Sequence, residues 1–329
     1  MAHYITVPIN ENGIIFDASM NDVVAEAMAV SPFGFRDVYI YSHGWSVNAD
    51  NAVDTYNKFS VDLARLLLIG RVQTPHLFAY PPQDALGIGI HWPSDITEDP
   101  GSPLNVVQLF TFYSMQHRAD AVGKNAVYMM LRLMLRERFG TDLPLRVFMV
   151  GHSFGCKVVL AALQDLKTDI DGGTIAVPPG TEFHIALLQA ATDHDNLEPG
   201  DIYGSVSQLV NRLLLTTSSL DEALGTWFPA AGKLANLLHA PPQALGSVGP
   251  TVATCNAFGS AGRISVAPGL TSAALSGISG KLVIADLSPV HKARVASGAY
   301  SGGGVAGSHS DISFAEVYEL ICGFFYQAV

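Results

Sequence analysis

Apolar positions in this chain fall into short runs and helically spaced stripes, separated by turn residues. His3 to Pro8 and Gly13 to Asp17 read as two strands joined across Asn10-Glu11-Asn12-Gly13, an opening hairpin. A helix is predicted at Asp22 to Met28. Asp37 to Ser42 is β-branched and aromatic and stops at His43-Gly44-Trp45, as a strand with an exit loop would. Residues 51–69 place Val53, Tyr56, Phe59, Leu63 and Leu67 on one helical face. Ala85 to Trp92 is a further strand ended by Pro93, and a long helix follows from about Leu104 to Arg136, kinked or divided near Ala121 to Gly123.

In the second half, Val147 to Val150 run straight into Gly151-His152-Ser153-Phe154-Gly155, after which Val159, Leu163 and Leu166 share a helical stripe. Phe183 to Ala191, Arg212 to Thr217 and Lys281 to Leu287 are three more apolar runs, and Phe314, Val317, Tyr318, Ile321, Phe324 and Phe325 mark a closing amphipathic helix. Strands alternating with helices predict one α/β domain over 1–329, a mostly parallel eight-stranded sheet with helices on both faces. Residues 225–280, carrying Trp227, Phe228, Leu234, Leu237 and Leu238, stand outside the alternation. They are expected to be an insertion, either a cap over a site or an ornate connection. Residues 296–310 are loop by composition.

Charge narrows the partners. Eighteen Lys and Arg against 29 Asp and Glu give a net charge of −11, without a basic cluster, which argues against nucleic acid and anionic membrane. No apolar stretch is long enough for a bilayer span, and Met1 to Pro8 has neither the basic nor the apolar segment of a leader. The expectation is a cytoplasmic protein without stable membrane insertion, monomeric or dimeric, acting on a small molecule. Cys156, Cys255 and Cys322 are odd in number and irregularly spaced, so neither a disulfide framework nor a zinc site is expected. Gly87 and Gly89 lie inside a strand and lack a third partner, which removes a dinucleotide-binding reading.

The chemistry is concentrated at residues 151–155. A serine at the tip of a sharp strand-to-helix turn sits in a strained backbone that admits only small residues two positions away on either side, and Gly151 and Gly155 supply them. Ser153 is the candidate nucleophile. A serine hydroxyl needs a base, and the base an orienting carboxylate, both from loops at the carboxyl edge of the sheet. Asp221, just beyond the Arg212 to Thr217 run, is the candidate acid, with Asp193, Asp195 and Glu222 as rivals; Asp221 also reads as a helix cap ahead of Glu222-Ala223-Leu224. His309, in a Gly/Ser loop with no packing duty, is the candidate base; His291 is the runner-up and His152 reads as structural. An oxyanion hole needs two converging N–H groups. Phe154 offers one, and Trp45 after Gly44 the other, with Ser46 as the neighbouring alternative. His43, Gly44, Trp45 and Tyr113 are candidate substrate contacts. No cofactor and no metal is required; the Asp193-His194-Asp195 triplet lacks partners at ligand spacing.

The order Ser153, Asp221, His309, the Gly-His-Ser-Phe-Gly turn, the His43-Gly44 pair and eight strand-like runs resemble the α/β-hydrolase fold and its serine esterases and lipases. Ser42-His43-Gly44-Trp45 and Trp92-Pro93-Ser94 are similar to a little-characterised branch of that superfamily. The resemblance implies hydrolysis of carboxylic esters of short to medium acyl chain through an acyl-enzyme on Ser153. Cleavage of amides, thioesters or polyesters by the same triad, or a binding module without turnover, are the alternatives. One glycine stands where the best-known lipases have a His-Gly-Gly-Gly run, which makes bulky tertiary-alcohol esters less expected as substrates.

Overall fold

The computed structural model describes residues 3–14, 22, 36–44, 85–94, 106–138, 144–235, 240–271, 275, 279–300 and 307–326, for residues 3, 4, 106–113, 234, 235 and 326 in the backbone alone. Among the described residues, eight strands form one sheet: β1 (His3–Pro8), β2 (Asp37–Ser42), β3 (Ala85–His91), β4 (Arg146–His152), β5 (Glu182–Leu188), β6 (Arg212–Thr217), β7 (Ala261–Ser265) and β8 (Leu282–Asp286). Their order is β1-β3-β2-β4-β5-β6-β8-β7, and every pairing among them is parallel. The longer helices are α1 (Val106–Val122), α2 (Tyr128–Arg138), α3 (Gly155–Asp171), α4 (Phe228–Ala235), α5 (Ser288–Ala296) and α6 (Ala315–Tyr326). Among the described residues, no helix is long and apolar enough to cross a membrane.

The strand runs are apolar at nearly every position because both faces are covered. Val38, Ile40, Val147, Met149, Ile185 and Leu187 point to a core shared with α1, α2 and α3. The intervening Tyr39, Tyr41, Phe148, Val150, Ala186 and Leu188 point to a second core, closed by Val290 of α5 and Val317, Ile321 and Phe325 of α6. The long helix expected over 104–136 is divided as its sequence suggested: a π-helical turn at Gly123–Val127 separates α1 from α2.

Three expectations change. β1 pairs in parallel with β3, and residues 13 and 14, the start of the strand expected to complete a hairpin with it, lie outside any strand; residues 15–17 fall outside the described residues. The turn itself is present, with the Asn10 side-chain oxygen accepting from the amides of Asn12 and Ile14 at 2.9 Å each. Among the described residues the eighth strand is β7, inside the 225–280 segment expected as a cap or an ornate connection. It has no apolar run because it lies on the sheet edge, exposed at alternate positions. Other parts of that segment also belong to the body: Phe228 and Leu245 are buried in the first core. The helix expected at 22–28 (Asp22 apart) and the one expected at 51–69 fall outside the described residues.

The strand order fixes where a site can form. From β2 the chain steps outward to β3, whereas from β4 it steps the other way to β5. Neighbouring strands whose connections depart in opposite directions leave a crevice at their carboxyl ends, where α/β sheets place ligands. The loops that leave β2 and β4 there carry Gly44 and Ser153.

Candidate functional site

Ser153 occupies the turn between β4 and α3 with φ of 55°, left-handed backbone that a side-chain-bearing residue rarely adopts. The surroundings hold it there. Its amide donates to the Leu188 carbonyl at 3.0 Å, and its own carbonyl accepts from Ala191 at 3.2 Å and Cys156 at 3.1 Å. The flanking glycines are required by space. A Cβ on Gly151 would lie 2.7 Å from the Cys156 backbone, and one on Gly155 would lie 2.2 Å from the Ser42 carbonyl oxygen. The turn therefore closes only if α3 starts hard against the ends of β4 and β2.

His309 Nε2 lies 2.7 Å from Ser153 Oγ, and its Nδ1 lies 2.7 Å from Asp221 Oδ2. The Asp221 carboxylate is fully buried and can only accept, so Nδ1 carries the proton and Nε2 is left with the lone pair that faces the hydroxyl. Asp221 serves two ends at once: Oδ1 accepts the Leu224 amide at 2.9 Å, capping the turn that follows, while Oδ2 holds the imidazole. The helix-cap contact and the contact with the imidazole, read from sequence as alternatives, are made by one side chain. Ser153, His309 and Asp221 leave the sheet after β4, β8 and β6, and meet at its carboxyl edge.

No family model matches this chain, and no curated protein matches it. Among solved structures, the tryptophan synthase alpha chain of Legionella pneumophila subsp. pneumophila aligns over 94% of this chain and 96% of its own, at 11% identity and a TM-score of 0.22. A likeness that weak carries no argument about fold or chemistry. The assignment to the α/β-hydrolase superfamily and its esterase branch, expected from the motifs, is corrected: no family model and no curated relative carries it. A five-residue turn and a His-Gly pair answer to local sterics and can recur without descent. What the site can do rests on its own geometry.

The rival residues lie elsewhere. His291 is fully buried, with Nδ1 2.9 Å from Ser218 Oγ and Nε2 2.9 Å from the Asp311 carbonyl. Asp311 in turn takes a two-pronged ion pair from Arg294, at 2.8 and 2.9 Å. Asp193 and Asp195 line a cleft of about 800 Å³ together with Gln116, His194, Pro229 and Pro242. Among the described residues, no group of three or more His, Cys, Asp or Glu could hold a metal ion. Trp45 and Ser46 lie outside the described residues, as does the side chain of Tyr113. Phe154 is the residue just before α3, and Gly44 passes directly over Ser153: a Cβ there would sit 2.7 Å from the Ser153 Cβ.

His43, expected as a substrate contact, is enclosed on the Trp92 side. It is 1% exposed and its ring lies parallel to Trp92, with centroids 5.3 Å apart. Its Nδ1–H donates to the Gly44 carbonyl at 2.8 Å, and Nε2 accepts the Trp92 amide at 3.4 Å. This pinning keeps the Gly44 loop against Ser153. His152 plays a comparable part from the other side, its Nε2–H donating to the His309 carbonyl at 3.0 Å.

Burial holds His43 at a pKa of about 4 and His152 at about 3, where nearby His309 adds to the effect. Both are neutral when folded and titrate near the ordinary 6.5 when unfolded. As pH falls below 6.5 the unfolded chain takes up protons that the folded one refuses, so their contribution is complete above 6.5 and lost as pH drops towards 4 and 3. For His43 alone the loss between pH 7 and 4 is on the order of 3 kcal/mol. Urea unfolding at the two pH values should show it, and His43→Gln should flatten the slope; equal stability at both pH values would contradict a buried neutral ring.

Proposed function

We propose that this chain is a serine hydrolase that cleaves carboxylic esters of short to medium acyl chain through an acyl-enzyme on Ser153. The observation that carries the reading is the unbroken relay from the strained Ser153 hydroxyl through His309 to the buried Asp221, at 2.7 Å for each link. As Ser153 Oγ attacks the ester carbonyl, its proton passes to His309 Nε2, and the imidazolium is stabilised by Asp221. Collapse of the tetrahedral adduct breaks the bond to the alkoxy oxygen, which leaves as the alcohol with that proton. Water, deprotonated by the same imidazole, then attacks the acyl-enzyme and frees the acid and Ser153.

The oxyanion donors in this reading are the amides of Phe154, at the start of α3, and Trp45. Support for them comes from position: Phe154 follows the nucleophile, and Gly44 brings the preceding loop within contact of it. A hydrolase-type arrangement of the sheet, as a layout of parts independent of descent, belongs to the same proposal.

A series of p-nitrophenyl esters of increasing acyl length, with matched amide and thioester substrates, tests the reading on the purified protein. Hydrolysis of the shorter esters with an initial burst and labelling by a fluorophosphonate probe are expected. Faster turnover of amides or thioesters would move the substrate class while keeping the triad. Absence of both labelling and turnover would leave a binding module and sink the hydrolytic account.

A further inference from the structure

We propose that Gln189 is a positioning residue that locks the acid and the base loops of the triad into register, its side-chain NH₂ bridging the Asp221 carboxylate and the Ser308 carbonyl. This rests on the hydrolytic reading above. Gln189 is fully buried at the end of β5, beside the turn that carries Ser153. Its Nε2 donates to Asp221 Oδ2 at 3.0 Å and to the carbonyl of Ser308 at 3.2 Å, one residue before the base. The orientation of the carboxamide follows from chemistry: both neighbours only accept, so the nitrogen must face them.

Two features of Gln189 run against ordinary folding preference. Its φ is 45°, which makes it, with Ser153, one of two non-glycine residues with positive φ among the described ones. Its Oε1 is buried without a hydrogen-bond partner among the described residues. Such strain and such an orphan persist where the surroundings over-determine them, and they gather at functional sites. Here the surroundings do so. The Gln189 amide donates to Thr216 Oγ1 at 2.9 Å, and the turn at Leu245–Val248 presses on its backbone so closely that a Cβ on Gly246 would lie 2.7 Å from the Gln189 Cα. The base loop is held from its far side as well, through Ser308 Oγ and Ser218 Oγ at 3.3 Å and on to His291.

Gln189 touches no reacting atom; it acts through Asp221 Oδ2, the oxygen that orients His309. Its N–H draws charge from that oxygen, which moderates how strongly the imidazolium is held. Gln189→Met keeps the length and removes the donor. Gln189→Asn tolerates the left-handed backbone and keeps an amide one methylene too short to reach. In both, kcat/KM for a p-nitrophenyl ester should fall roughly ten- to a hundredfold with KM little changed. The acidic limb of kcat/KM against pH should move up by about half a unit, because an unrelieved Asp221 favours the protonated base.

Folded variants with unchanged rate and limb overturn the inference, as does a loss of thermal stability alone, which marks a purely structural rivet. Wild-type protein decides which claim has failed. If it hydrolyses esters and takes the fluorophosphonate while the variants match it, only the role of Gln189 falls; if it does neither, the hydrolytic reading falls and takes this inference with it.

Discussion

Ser153→Ala is expected to lower kcat for ester hydrolysis by about 10⁶-fold, close to 8 kcal/mol of barrier, and to abolish fluorophosphonate labelling. The size follows from what the hydroxyl does. Without it there is no covalent step, and the remaining groups can only polarise the carbonyl towards water, which leaves a residual advantage of about 10³ to 10⁴ over solution. Because Ser153 Oγ and His309 Nε2 act as a unit at 2.7 Å, the double variant Ser153→Ala, His309→Ala should be no slower than either single one. Additive losses would mean that the two side chains work in separate steps. The alanine variant should fold: it retains a Cβ in the same left-handed backbone, with Gly151 and Gly155 still supplying the space. Labelling that persists in it would place the nucleophile elsewhere.

How much of this could be read from sequence depends on how local each cause is. The turn at Ser153 was legible because its requirements, two glycines between an apolar run and a helical stripe, lie within a dozen residues. Asp221 and His309 could be singled out by their places after strands at the same rim. Partners distant along the chain hid the rest. The pairing of β1 with β3 is non-local, and the Asn-rich turn after β1 points the eye to its neighbour in sequence instead. β7 carries no apolar run because its place on the edge asks for none. The contacts of His43 with Trp92 and Ser94 join two different strand ends, which no local pattern foretells. Gln189 gave no signal at all: within Phe183 to Ala191 it reads as an ordinary strand end, and its strain and its two acceptors exist only in the folded chain. The superfamily resemblance failed for the complementary reason, since short motifs record local sterics and say little about ancestry.

Asp221→Asn is the second large effect, an expected fall in kcat of about 10⁴. Asp221 accepts three hydrogen bonds: from His309 Nδ1, from Gln189 Nε2 and from the Leu224 amide. An asparagine has one oxygen to offer. If that oxygen stays towards Leu224, the new NH₂ confronts Gln189 Nε2 donor to donor, and it drives the imidazole to place its proton on Nε2, where it can no longer accept from Ser153. If the amide turns over, His309 keeps its tautomer but the Leu224 amide loses its cap, and the start of the following turn is left with a donor facing a donor. Either arrangement costs stability, about 1 to 3 kcal/mol for the unmet polar group, and the first also costs the base. The two can be separated by pH. Activity in the variant should recover in part at alkaline pH, where hydroxide replaces the missing base, while the stability deficit in urea unfolding remains. A variant with wild-type turnover at neutral pH would show that the bond between Asp221 Oδ2 and His309 does not govern the tautomer, and the acid would then have to be sought at Asp193 on the cleft wall.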